Sequence, residues 1–174
     1  MALMTAATLA SCYNGTPVQP EAFSVQLDDE DAWSLVDFSG EIIAKNAFDN
    51  SPSYVYNGTF VVKEEDGLYV HSISDPKKAL NDEPFLQLTN FAAGHAFGVR
   101  PGTGILLVNT NGEVIKQLSD DIAVVYVPVP LGSVDILPYH DTDEKMGYIN
   151  ASGDIAIKAK WDTALPFSEG LALV

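Results

Sequence analysis

The sequence predicts an all-β chain built from about four tandem β-meander units of 36–41 residues, arranged either as an elongated array or as propeller-like blades. Three observations carry that expectation. A turn-like segment returns along the chain, a second and unrelated set of glycines keeps nearly the same period, and an aromatic–Asp pair follows the first segment at a constant distance. Independent landmarks sharing one period mark a duplicated unit.

The first landmark is Val36-Asp37-Phe38-Ser39-Gly40-Glu41-Ile42-Ile43. It returns around Asn109 and Gly112, and again around Asn150 and Gly153. The shared pattern is aliphatic, Asp or Asn, two variable residues, Gly, acidic, aliphatic. From Gly40 to Gly112 is 72 residues, two periods of 36, and from Gly112 to Gly153 is 41. A degenerate copy is therefore expected near position 76, in Val70–Pro76, with its turn glycine lost and His71 at the Asp/Asn position. The second landmark is the glycine set Gly58, Gly94, Gly132 and Gly170, spaced 36, 38 and 38. The third is Phe48-Asp49, eight residues after Gly40, matched by Trp161-Asp162, eight after Gly153.

Each unit reads as three strands. A first strand such as Thr59–Lys63 runs into the polar tip Glu64-Glu65-Asp66-Gly67 and returns as Leu68–His71. Equivalent hairpins run Phe23–Leu27 to Trp33–Asp37 and His95–Arg100 to Ile105–Asn109. Acidic and Gly-rich tips between β-branched runs are hairpin chemistry. The recurring Asp or Asn can accept backbone N–H bonds in the second turn, where Gly takes positive φ without strain. A third strand follows, over Glu41–Ala44, Glu113–Gln117 or Asp154–Lys158. Three short strands have too little core to fold alone, but stacked units share one. Ile122–Val127 is apolar at successive positions and is expected to be buried on both faces. The sequence closes on Leu171-Ala172-Leu173-Val174, the first strand of a hairpin. That edge is expected to be covered, by further repeats after a truncation point or by another chain.

Met146-Gly147-Tyr148-Ile149-Asn150-Ala151-Ser152-Gly153, followed by Trp161-Asp162 and Pro166-Phe167-Ser168-Glu169-Gly170-Leu171-Ala172, resembles a unit of the WG-repeat family. That unit opens with Trp-Gly-aromatic-Ile-Asp and closes with Phe-Ser-Glu-Gly-Leu-Ala. Met146 stands in place of the tryptophan in the last unit, and Ser34 in place of the glycine after Trp33 in the first. The middle units have lost both. The resemblance covers residues 21–174, and it implies a protein of a kind commonly bacterial, often secreted or lipid-anchored, without established catalytic activity. It implies no site residues.

Residues 1–20 read as a signal or lipobox remnant and a tether. Small apolar residues run into Leu9-Ala10-Ser11-Cys12, which resembles a bacterial lipobox with Cys12 as the lipidated residue, although no basic n-region precedes it. Localisation at the cell envelope is the resulting expectation, lipid-anchored, periplasmic or extracellular, with the membrane reached only through lipid chains. One cysteine permits no internal disulfide. Nine basic residues against 24 acidic ones give a net charge of −15, a field that repels phosphate backbones, so nucleic acid is not an expected partner.

No motif proposes catalysis. There is no His-Glu-x-x-His, Gly-x-Ser-x-Gly or paired cysteine, and no glycine-rich phosphate loop. His71 reads as a turn residue, His95 as a strand residue, and His140 as part of the acidic tip Tyr139–Glu144. The acidic clusters Asp28–Asp31 and Asp141–Glu144 lack the spacing of an EF-hand, so no metal and no cofactor is expected. Trp33, Trp161, Phe48, Phe91 and Phe167 recur in phase and read as core layers rather than as a platform for a glycan or peptide. The expected function is that of a non-enzymatic binding module for a protein or polysaccharide. The alternative is a spacer holding another domain away from the membrane, and a hydrolytic enzyme is the least expected.

Overall fold

The strands take their order from the turns. The computed structural model describes residues 19–27, 31–127, 135–168 and 170–174, so Cys12, Gly132 and the 28–30 part of the first acidic tip lie outside the described residues. Fourteen strands form four antiparallel sheets, with no helix and no closed barrel among the described residues. The first sheet is β1 (Ala22–Gln26), β2 (Trp33–Asp37) and β3 (Ile42–Phe48), and the second is β4 (Thr59–Lys63), β5 (Leu68–Ser72) and β6 (Asp75–Ala79). The third adds a short first strand: β7 (Gln87–Leu88), β8 (His95–Val99), β9 (Leu106–Asn109) and β10 (Val114–Gln117). The fourth is β11 (Ile122–Val125), β12 (Ile136–Asp141), β13 (Met146–Asn150) and β14 (Ile155–Trp161).

The Asp/Asn-x-x-Gly segments close one kind of turn. Asp37 Oδ1 accepts the N–H groups of Ser39 and Glu41, both at 2.8 Å. Asn109 Oδ1 accepts those of Asn111 (2.9 Å) and Glu113 (3.0 Å), and Asn150 Oδ1 that of Asp154 (2.8 Å). In each, the glycine N–H donates back to the carbonyl of the Asp or Asn. Asp141-Thr142-Asp143-Glu144-Lys145 makes the same turn between β12 and β13, with Glu144 at φ +62° in the glycine's place. That copy is invisible to a search keyed on glycine. Donation from Ser39 and Glu41 to the Asp37 carboxylate holds its pKa below the ordinary 3.8. The stability this contributes is present above the ordinary value and is lost as the pH falls through the lowered one. Asp37→Asn keeps the acceptor oxygen, as Asn109 and Asn150 do, so it is expected to fold at neutral pH with a flatter acid limb in urea midpoints measured against pH.

Gly58, Gly94 and Gly170 also occupy equivalent places. Tyr56 and Thr59 exchange both backbone hydrogen bonds across Asn57-Gly58, as do Ala92 and His95 across Ala93-Gly94, and Ser168 and Leu171 at Gly170. Positive φ at both central residues of the first two makes them type I′ turns, the form whose twist matches paired strands. Adjacent units are tied at these points. The Glu21 carboxylate accepts the Gly58 N–H, and Asn57 Oδ1 accepts the Gly94 N–H, each across 37 residues.

The sheets stack face to face and share cores. Along β4, Phe60 and Val62 join Leu35, Phe48 and Val55, while Val61 turns the other way to join Val70, Phe85 and Val108. Along β9, Leu106 and Val108 face the second sheet, and Leu107 faces Leu137 and Ile149 of the fourth. Period-two alternation thus feeds two cores from one strand. The strands that feed cores on both faces are β4 and β9, rather than Ile122–Val127. β11 is an edge strand paired only with β12, and a register shift between Ile122 and Val124 leaves Val124 exposed while Ile122 and Val125 face inward.

Two histidines are placed differently from the sequence expectation. His71 lies within β5 and is 2% exposed, at the position held by Val36, Val108 and Ile149 in the other units. Ser72 takes the turn position instead: its Oγ accepts the Ser74 N–H, and a two-residue turn brings it opposite Asp75. Losing one residue from the turn moved the register by one. His140 belongs to β12, opposite Met146, with its ring against Tyr126 at 5.6 Å.

The departures from the Trp-Gly pair have a steric logic. β14 bulges against β13, and a Cβ on Gly147 would lie 2.5 Å from the Ile157 carbonyl oxygen and 2.6 Å from Ala159 N. In the first unit Ser34 occupies that place fully buried. Its hydroxyl donates to Asn46 Oδ1 (3.0 Å) and accepts the Asn46 N–H (2.9 Å), and Asn46 takes φ +44°. The serine's hydroxyl is thus satisfied by Asn46 across the β2–β3 bulge.

Candidate functional site

The phased aromatics are spent on packing. Phe48 and Phe91 are buried, Trp33 packs against the first core, and Trp161 and Phe167 pack against Tyr148 with centroids at 6.0 and 4.8 Å. The Tyr148 hydroxyl donates to the Leu165 carbonyl, and burial raises its pKa.

Another phased set is exposed. Ile42, Val114 and Ile155 are each two residues beyond a turn glycine, and each pairs with the residue preceding the Asp or Asn: Val36, Val108 and Ile149. They are 45%, 37% and 42% exposed. All three sit on the last strand of a sheet, since β3, β6, β10 and β14 each pair on one side only. An aliphatic residue repeated at one register position, yet not buried within the chain, has no account in the fold's own packing. Ile115 beside Val114 is also exposed, and every residue of β10 is.

A polar cleft of about 470 Å³ opens where the first and second sheets meet, lined by residues that include Phe48, Asn50, Lys63, Glu64, His71 and Lys77. The His71 ring packs between Phe48 and Phe60, at 6.3 and 5.7 Å. Its Nδ1 lies 3.0 Å from the Pro76 carbonyl, an acceptor only, which places a proton on Nδ1. Nε2 lies 3.3 Å from Glu64 Oε1, at an angle that makes no hydrogen bond. Among the described residues, none of the three histidines hydrogen-bonds a Ser or Thr side chain.

Among the described residues no group of three or more metal-ligating side chains converges, and no helix is long and apolar enough to cross a membrane. The Asp141 carboxylate is engaged in its own turn. Lys116 Nζ reaches Asp154 Oδ1 at 2.8 Å across adjacent units, and that ammonium lowers the aspartate's pKa. Lys145 lowers that of Asp162 in the same way.

A comparison with curated proteins found no match. A comparison with protein families matched residues 146–174 to the WG containing repeat. The matched stretch holds β13, the Asn150–Gly153 turn, β14 and the Ser168–Leu171 turn, which are the features that recur in the earlier sheets. Residues 146–174 thus carry a WG containing repeat, which lies in the last of the four antiparallel sheets.

Proposed function

We propose that this repeat module is a non-enzymatic interaction module that works outside the cytoplasm and binds a protein partner along its outer strands. The observation that carries the reading is the exposed aliphatic at one register position of three units, Ile42, Val114 and Ile155, on strands whose second edge is unpaired. Stacked repeats present such positions as an extended surface. Of the two ligand classes the sequence suggests, protein is favoured over polysaccharide. The exposed phased residues are aliphatic, whereas of the phased aromatics Phe48 and Phe91 are buried and Trp33, Trp161 and Phe167 are partly buried against core residues. The lipobox-like Leu9–Cys12 supports a cell-envelope location.

A photo-crosslinking residue at position 42, 114 or 155, in the full chain within its own cells, tests the reading. A binding module gives saturable adducts at these positions and none at Glu65, on the opposite hairpin tip. A spacer gives no adducts at any of them. Fractionation of the same cells, with Cys12→Ser alongside, tests the envelope location.

A further inference from the structure

The basic residues of this acidic chain are concentrated on one kind of strand. β3, β6, β10 and β14 hold Lys45, Lys77, Lys78, Lys116, Lys158 and Lys160, six of the nine basic residues, and only Asp75 of the 24 acidic ones. The other three basic residues, Lys63, Arg100 and Lys145, share the rest of the chain with 23 carboxylates. All six edge lysines are exposed. Lys116 reaches Asp154, and Lys160 Nζ lies 4.4 Å over the Trp161 ring. The remaining four make no ion pair among the described residues, although carboxylates outnumber cations almost threefold.

Lysine on an open edge has a protective effect: it repels the like-charged edge of another copy, and the bulge in each of these four pairings adds to the mismatch. The same charge attracts a strand of opposite sign. Beside the lysines stand unpaired backbone N–H and C=O groups and the exposed aliphatics Ile42, Val114, Ile115 and Ile155. We infer that these edges accept an extended acidic polypeptide by strand addition, its backbone pairing with β3, β10 or β14, its carboxylates meeting the lysines, and its alternate apolar side chains resting on the aliphatics. The inference rests on the reading of the chain as an interaction module and narrows its partner.

Charge placement favours a single chain over a flat anionic surface such as a membrane. Glu41, Glu113 and Asp154 stand at the turn end of each of these strands, three or four residues before Lys45, Lys116 and Lys158. A narrow peptide can lie along the lysine-bearing part of an edge and stop short of the carboxylate. A plane of headgroups meets both, together with the acidic remainder of the protein.

The test uses the full chain and fluorescent ten-residue peptides of alternating Val–Glu, Val–Thr and Val–Lys, read by anisotropy at low salt. The Val–Glu peptide should bind, weaken roughly tenfold as salt rises from about 20 to 200 mM through screening, and lose binding when alternate amides are N-methylated to block pairing. Lys158→Gln with Lys160→Gln, and separately all six edge lysines to Gln, should weaken it stepwise, with melting temperature as the check on folding. Lys63→Gln, on the first strand of its sheet rather than the last, should leave it unchanged. Full binding by the N-methylated peptide overturns strand addition, an outcome independent of whether any variant folds. Preference for Val–Thr overturns the acidic partner while leaving the interaction reading intact, and tighter binding to phosphatidylglycerol vesicles overturns the choice of a polypeptide. Binding of no peptide sinks this inference alone, because crosslinking at positions 42, 114 and 155 decides the broader reading separately.

Discussion

Gly147→Ala is expected to lower the stability of the chain by about 3 kcal/mol, near the top of the usual range for overpacking. For a domain of this length that is a fall in melting temperature of roughly 6–12 °C. The cause is local. A Cβ at this position would sit 2.5 Å from one backbone atom of β14, 2.6 Å from a second and 2.8 Å from a third. Backbone atoms cannot rotate aside as a side-chain tip can, so the bulge over Ile157–Ala159 would have to open. Gly40→Ala is the instructive comparison. Its φ is +91°, but nothing lies within 4 Å of the added carbon, so only conformational strain of about 1–2 kcal/mol is expected. If thermal melts show Gly147→Ala no worse than Gly40→Ala, the tight approach of β14 to β13 is not what keeps glycine at the second position of the Trp-Gly pair. A Ser34→Ala variant probes the alternative solution in the first unit, where the loss should be that of a buried pair of hydrogen bonds to Asn46.

What the sequence reveals and conceals follows from where each signal is written. The turns are legible because their chemistry is local. Asp37, Asn109 and Asn150 each bond groups two and four residues ahead, so the spacing is printed in the chain. The same reading fails at His71, because a turn shorter by one residue shifts the register, and strand parity inverts inside and outside with every such step. It fails at Ile122–Val127 for a related reason: a run of apolar residues looks doubly buried until a bulge decides which of them face inward. It places Asp141–Glu144 in a hairpin tip but misses that the tip is this same turn, because Glu144 adopts the conformation that the pattern reserves for glycine. The charge segregation onto edge strands was not legible at all. Nothing local distinguishes an edge from a centre, and only the pairing order reveals that the lysine-bearing strands lie at sheet edges.

Phe60→Ala is expected to cost about 3–5 kcal/mol, the range for removing a fully buried phenylalanine. Its consequence should be regional. Phe60 sits on β4 of the second sheet, yet its ring meets Phe48 of the first edge-on at 5.7 Å and belongs to a core made with Ala22, Leu35 and Ala44. The cavity therefore opens between units rather than within one. In a stack stabilised through neighbouring interfaces, removing one interface frees the unit beyond it before it disturbs the far end. Native-state hydrogen exchange on the variant should show β1–β3 amides exchanging roughly a hundredfold or more faster, at about 1.4 kcal/mol per tenfold. Amides in β12 and β13, whose cores involve Leu137, Ile149 and Tyr148, should keep their protection. Equal loss of protection throughout would mean that the four sheets unfold as one body, and the repeats would then be a feature of sequence and geometry without being units of stability.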